Sequence, residues 1–210
     1  MKVLAEIPAR TSPELRMGTL RRGDLAAFGG LLEKLGGAGS VLMVGDAPGR
    51  REAAAGLAAA AAAAGTRTVL LECDLAGPGL ADALGLASAP GLHEYLRGSA
   101  EVAEVLKPVV LAGPGSAAAT EPLVCVVAGR PAHDGPALLA SDEFRRAVDG
   151  LRAVYDLVVI DGPPLADDHS LRSLLGMVDA TLACVTAVEA KRKLPVPVTG
   201  LVVQAGPSAS

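Results

Sequence analysis

The residues able to do chemistry in this chain gather at the ends of apolar runs. The stretch from Val41 to Leu75 reads VLMVGDAPGRREAAAGLAAAAAAAGTRTVLLECDL: an apolar run, a Gly/Pro loop, an alanine-rich segment, then a second apolar run ending in acid. A phosphate-binding loop needs glycines, so that backbone N–H groups can wrap the anion. It also needs a lysine to reach the outer oxygens and a Ser or Thr to hold magnesium. Here Gly45 and Gly49 supply the flexible positions, and the start of a helix would supply a dipole. Arg50 stands where the lysine would be, and Arg51 and Glu52 stand where the hydroxyl residues belong. No Ser or Thr occurs between Ser40 and Thr66. Arginine keeps the charge, but its planar fork is bulky for a tight loop. Glu52 suits a helix N-terminus and repels phosphate. Two readings stand at this point: a cofactor cradle made by Gly45, Gly49, Arg50 and Arg51, or a plain strand–turn–helix joint.

Three acids end the other runs. Glu72 and Asp74 are two residues apart, so on an extended segment their side chains point to the same side. Asp161 follows Leu157-Val158-Val159-Ile160 and precedes Gly162-Pro163-Pro164. A carboxylate at the end of a buried strand is costly unless it meets water, a donor or a metal. Glu72, Asp74 and Asp161 are therefore the candidate magnesium ligands, with capping of the next turn as the alternative for Asp161. If the site is active, Asp74 and Asp161 are its catalytic acids. The other polar residues read as structural. His93, His133 and His169 are scattered, and Arg145-Arg146 and Lys191-Arg192-Lys193 read as solvated charge. Tyr155 belongs at a helix–strand joint and Tyr95 on a half-buried helix.

The chain has 210 residues, half of them apolar and a fifth charged, which is enough for a soluble domain with a real core. With two Phe, two Tyr and no Trp, that core must be built from Ala, Val and Leu. A formal charge of −4 gives no basic field for nucleic acid. Cys73, Cys125 and Cys184 lie far apart in apolar runs and read as buried free thiols in a reducing compartment. The first residues include Glu6, Arg10, Glu14 and Arg16 with no apolar core between them, so no signal peptide is expected. The longest apolar stretch, Ala53 to Ala64, falls short of the ~20 residues of a membrane span, and no membrane insertion is expected.

These residues need a scaffold to bring them together, and the pattern supplies one. Near-continuous apolar runs (SVLMVG, TVLLECD, PLVCVVAG, DLVVIDGPP, ATLACVTAV, VTGLVVQA) read as buried strands. They alternate with helical segments: RREAAAGLAAAAAAAG, ended by Gly65, the short GLADALGL, GLHEYLRG and AEVAEVL, SDEFRRAVDGLRAVY with Ser141 as N-cap, and HSLRSLLGMV. Buried strands alternating with helices predict an α/β three-layer sandwich with a mostly parallel central sheet, whose ligands sit beyond the carboxyl ends of the strands. Residues 1–38 read as an N-terminal arm and helix: KVLAEIP, a polar linker, then LAAFGGLLEKL. Residues 39–210 read as the α/β domain. About ten residues join the last two strands, short for a parallel crossover. The final strand is therefore expected to pair differently or to lie at an edge.

The segment VLLECDLAGPGLADALGL…PGLHEYLRG resembles the second acidic motif of the bacterial tyrosine kinases (BY-kinases), relatives of the MinD/ParA group of P-loop ATPases. ALLASDEFRRAVDGLRAVYDLVVIDGPPLADD is similar to that family's Walker B region, and KVLAEIP to the segment that precedes its kinase domain. The resemblance covers nearly the whole chain and implies a P-loop NTPase-like fold, with ATP and magnesium as the admissible cofactors. Departures come with it. The family's Walker A runs Pro-Gly-Glu-Gly-Lys-Ser-Thr, whereas here Pro48-Gly49 meets Arg50-Arg51-Glu52 directly, which implies a degenerate Walker A. The ring-bridging Glu-x-x-Arg-x-x-Arg becomes Ala26, Gly29 and Leu32, and the end of the chain carries no tyrosine.

Taken together, the resemblance and its departures imply a pseudokinase. It would act as a binding or regulatory module of exopolysaccharide or capsule biosynthesis and export, with weak or no ATP hydrolysis. The alternative is an active ATPase or protein-tyrosine kinase with a non-standard phosphate loop. The partner the resemblance implies is a membrane chain-length regulator or another polysaccharide-assembly protein, with homo-oligomerisation also open. The expected location is cytoplasmic, peripheral to the inner face of the membrane.

Overall fold

A computed structural model describes residues 1–7, 19–21, 26–47, 49–112 and 123–204. In chain order the elements are β1 (Val3–Ile7), β2 (Thr19–Arg21), α1 (Ala26–Lys34), β3 (Ser40–Val44), α2 (Arg50–Ala63), β4 (Thr68–Glu72), α3 (Leu80–Leu84), α4 (Leu92–Leu96), α5 (Val102–Val105), β5 (Lys107–Ala112), β6 (Leu123–Val126), α6 (Gly135–Leu139), α7 (Asp142–Val154), β7 (Leu157–Asp161), α8 (Asp168–Leu175), β8 (Ala180–Thr186) and β9 (Gly200–Gln204). The strands form one sheet in the order β1-β9-β8-β3-β7-β4-β6-β5-β2. Every pairing is parallel except β5 with β6. This is the mostly parallel α/β sandwich that the alternating apolar runs predict.

Side chains alternate between two apolar layers. One contains Val41, Met43, Leu70, Val159 and the body of α2; the other contains Leu42, Val44, Leu71, Ile160 and the inner faces of α7 and α8. Strands β3, β4 and β7 are buried at every position, as central strands covered on both faces must be. Helix α2 explains its own composition. From Ala53 through Ala62 every residue is buried, because the helix lies under α1 and on β3, β4 and β7. A helix enclosed on all sides close to a sheet has room only for small side chains. At Gly56 even a Cβ would collide with the Phe28 ring of α1.

The structure differs from the sequence expectation in three places. Lys107–Ala112 is a strand, β5, antiparallel to β6, where the sequence reading carried helical turns directly into β6. Its Pro108 and the preceding helical turns hide a pattern that becomes visible only through pairing. Thr19–Arg21, inside the expected polar linker, extends the sheet beside β5, while most of that linker lies outside the described residues. Finally, β9 neither pairs differently nor lies at an edge. It lies parallel to β8, with β1 beyond it. Residues 187–199, which include a 3₁₀ turn at Glu189–Lys191, make the crossover without an α-helix. Val196 from that segment is buried in the second apolar layer. Strand β1 pairs with β9, and α1 packs on β1 and α2.

Strand β3 comes so close to β8 that Gly45 is forced. Its φ is +131°, and a Cβ would collide with the Cys184 carbonyl. Gly45→Ala is expected to cost about 3 kcal/mol, since backbone strain and overpacking are each worth roughly 1–3 kcal/mol. Urea unfolding of the variant beside the wild type measures it, and a change below about 1 kcal/mol would contradict the close approach.

Candidate functional site

Strand register does the first part of the assembly. Strand β7 lies between β3 and β4, and Glu72 sits opposite Asp161 across the β4–β7 pair. Both side chains continue the Leu70 and Val159 face, the face that α2 covers. Both residues are fully buried. Helix α2 begins at Arg50, directly after the loop that leaves β3, so its first two side chains arrive over the same strand ends.

The two arginines meet all three acids. Arg50 Nη2 donates to Asp74 Oδ2 at 3.1 Å, and Arg50 Nε lies 2.9 Å from Asp161 Oδ1. Arg51 Nη2 donates to the same Asp74 Oδ2 at 3.2 Å, and its Nε lies 3.8 Å from both Glu72 Oε1 and Asp161 Oδ2. The Arg50 side chain is buried, while that of Arg51 is 32% exposed. Backbone amides satisfy the remaining oxygens. Glu72 Oε1 accepts from the N–H groups of Gly79 (2.7 Å) and Leu80 (2.8 Å), and Oε2 accepts from that of Ala128 (2.9 Å). Asp74 Oδ1 accepts from Gly77 N–H at 3.0 Å.

Asp161 is the exception. Its close approach to Arg50 is a charge contact in which the N–H does not point at the oxygen. Both Asp161 oxygens and Arg50 Nε are thus buried without a hydrogen-bond partner. Burial pushes the Asp161 carboxyl up to about 7. Arg50 and Arg51 pull it down, while Glu72 and Asp74 push it further up.

The loop itself is closed on its own backbone. Gly49 is the N-cap of α2, and the Arg50 N–H donates to the Ala47 carbonyl at 3.1 Å. A Cβ on Gly49 would strike the Gln204 side chain at the end of β9. Asp46 Oδ1 accepts from Leu165 N–H at 2.8 Å, which ties the loop to the turn after β7. A cavity of about 330 Å³ lies against Gly45, Asp46, Ala47, Arg50, Arg51, Asp74 and Pro164. A second cavity, of about 490 Å³, shares Asp74 and Pro164 with it and extends between α6 and α8.

The candidate site residues read from sequence lie at this one end of the sheet. Glu72, Asp74 and Asp161 gather around Arg50 and Arg51, with Gly45 and Gly49 at the loop that positions them. Among the described residues, no three His, Cys, Asp or Glu side chains are grouped so as to hold a metal ion. Sequence reasoning missed the partners: Gly77, Gly79, Asp46, Ala128 and Gln204. The Gly77-Pro78-Gly79 turn directly after the acids was the available signal for the first two, and nothing marked Gln204. The three cysteines are buried and free, and burial raises all three thiols, Cys184 to about 12.

Asp161 makes a pH prediction. A carboxyl whose folded pKa lies above its unfolded value binds its proton more tightly in the native state. Its contribution to stability is therefore greatest below pH ~4 and is lost as pH rises toward 7. Asp161→Asn removes that loss. Urea midpoints at pH 5 and pH 8 should show the variant gaining on the wild type at the higher pH, and an equal difference at both would contradict it.

No family model matches the chain. It is 29% identical over 143 residues to EpsB, a candidate tyrosine-protein kinase of Ralstonia solanacearum. That match takes in 66% of this chain and 18% of EpsB, so the chain spans less than a fifth of that relative's length. Among solved structures, the chimerical protein CapA2B2 superposes with a TM-score of 0.79 at 19% identity, covering 99% of this chain and 96% of that one. The kinase domain of the Escherichia coli tyrosine kinase ETK gives 0.78 at 17% identity, covering 100% and 93%. The septum site-determining protein MinD from Pyrococcus horikoshii, in complex with Mg-ADP, gives 0.55 at 17% identity, covering 70% and 57%. In sequence the chain is similar to a bacterial tyrosine kinase, and its fold is that of bacterial tyrosine kinase domains.

Proposed function

We propose that this chain is a bacterial tyrosine kinase-like domain whose phosphate loop has become structural, a degenerate Walker A in a pseudokinase. It serves exopolysaccharide or capsule assembly as a binding or regulatory module, with weak or no ATP hydrolysis. The observation that carries this reading is the position of Arg50 and Arg51, whose guanidinium groups lie on Asp74 and Asp161.

A magnesium nucleotide fits this donor set poorly. In phosphoryl transfer the protein acts by positioning and by neutralising charge, with lysine on the phosphates and magnesium held by a hydroxyl and an acid. Here the loop has no lysine or hydroxyl, and the first helical N–H is spent on Ala47. Both oxygens of Glu72 accept from backbone amides, and Asp74 Oδ2 accepts from two guanidinium groups. Removal of a single preorganised electrostatic group from a catalytic site typically costs about 3–4 kcal/mol of transition-state stabilisation. Loss of the lysine and the hydroxyl together would bring the rate near background.

The similarity to EpsB and to the kinase domains supports the tyrosine kinase-like assignment, and the role in polysaccharide assembly is what the family resemblance implies. The partner in this reading is a membrane chain-length regulator or another assembly protein, met at the inner face of the membrane. Among the described residues no helix is long and apolar enough to cross a membrane.

Calorimetric titration with ATP and magnesium is the test. The expected result is no binding in the micromolar range and no phosphate release above background. Micromolar binding, or a release rate that disappears in Asp161→Ala, would overturn the reading in favour of an active ATPase or tyrosine kinase.

A further inference from the structure

Arg51 does more than share the carboxylate charge. It also reaches the segment that follows the acids. The group that donates to Asp74 Oδ2 also donates to the Gly77 carbonyl. The guanidinium lies flat against Gly79, where a Cβ would come within 2.9–3.1 Å of Cζ, Nη1 and Nε. The same segment hangs from the same acids, through Gly77 N–H on Asp74 and through Gly79 and Leu80 N–H on Glu72.

Residues 75–80 are therefore tied at both their amides and a carbonyl to one ion network. Its positive charge comes from the chain itself. Without Arg51, Glu72 and Asp74 would lose a cation that holds them close, and the Gly77 carbonyl would lose a side-chain donor. The segment forms a wall of the cavity of about 490 Å³, opposite α6 and the Pro163-Pro164 turn. The hydroxyl of Ser170, which lines that cavity, is buried and has no hydrogen-bond partner.

We infer that Arg51 is a permanent clamp: it holds residues 75–80 in one conformation without nucleotide or metal, so the cleft beside them keeps its shape whichever ligands are present. This rests on the reading of a silent phosphate site. In an enzyme that cycles through nucleotide states, a loop next to these acids would respond to the cation and the phosphate. Here a fixed side chain replaces a variable ligand, and the segment has a single state.

Hydrogen–deuterium exchange on the full chain tests it, with Arg51→Ala and Arg51→Gln beside the wild type. The amides of Gly77, Gly79 and Leu80 are expected to exchange slowly in the wild type, unchanged by magnesium ATP or by a chelator. In both variants they should exchange about tenfold faster or more, the equivalent of ~1.4 kcal/mol in opening free energy. Amides of β7 serve as the internal control for global unfolding. Unchanged exchange in the variants overturns the clamp and leaves the silent site standing. Slower wild-type exchange with magnesium ATP overturns both the silent site and the permanence of the clamp.

Discussion

Ionised carboxylates at the ends of buried parallel strands lose their hydration and repel one another. In this chain the charges that offset them sit on two consecutive residues at the start of one helix. Arg50 and Arg51 reach Glu72, Asp74 and Asp161, and the rest of the site is arranged around that contact. A network of this kind is not a large net source of stability, because desolvation cancels much of the attraction. Its effect is geometric. It fixes where α2 begins, which way the segment after β4 turns, and how the loop after β3 closes. With Glu72 and Asp74 well bonded and Asp161 left without a hydrogen bond, the network is also uneven. Burial is the main cause of the elevated Asp161 carboxyl, with Glu72 and Asp74 adding to it against Arg50 and Arg51.

The scaffold is built to deliver those two arginines to that place. The register of β4 against β7 sets two acids side by side, and the alternation of each strand turns them toward α2. Alanine throughout α2 lets the helix lie close enough to the sheet for Arg50 to be buried among the acids. Glycine at position 45 lets the chain leave β3 in contact with β8, and glycine at 79 gives the Arg51 guanidinium a flat surface. None of these features is catalytic in itself. Together they put guanidinium groups at the strand ends.

Much of this was legible in the sequence. Buried strands show as unbroken apolar runs, and the carboxylates that end the β4 and β7 runs mark the edge of the sheet where the candidate site lies. The missing lysine and hydroxyls are visible by inspection, as is the Ser141 cap, whose hydroxyl accepts from Phe144 N–H. What stayed hidden is relational. Sequence does not reveal that Glu72 would bond three backbone amides, because two of them come from a turn seven and eight residues on and the third from position 128. Nor does it reveal that Arg51 points toward Gly77 and not into solvent. Strand β5 was invisible because its partner β6 supplies the pairing that a proline-containing run does not advertise. The last crossover was misjudged because Val196 and its neighbours cover the sheet without forming a helix.

The central claim is that the chain's own guanidinium groups supply the positive charge that the acids require. A double-mutant cycle between Arg50 and Asp161, with Arg50→Met, Asp161→Asn and the pair measured by urea unfolding at pH 8, tests it most directly. The account predicts a favourable coupling of about 0.5–3 kcal/mol, the size found for residues within one hydrogen-bond or ion network. Additive effects of the two substitutions would contradict it.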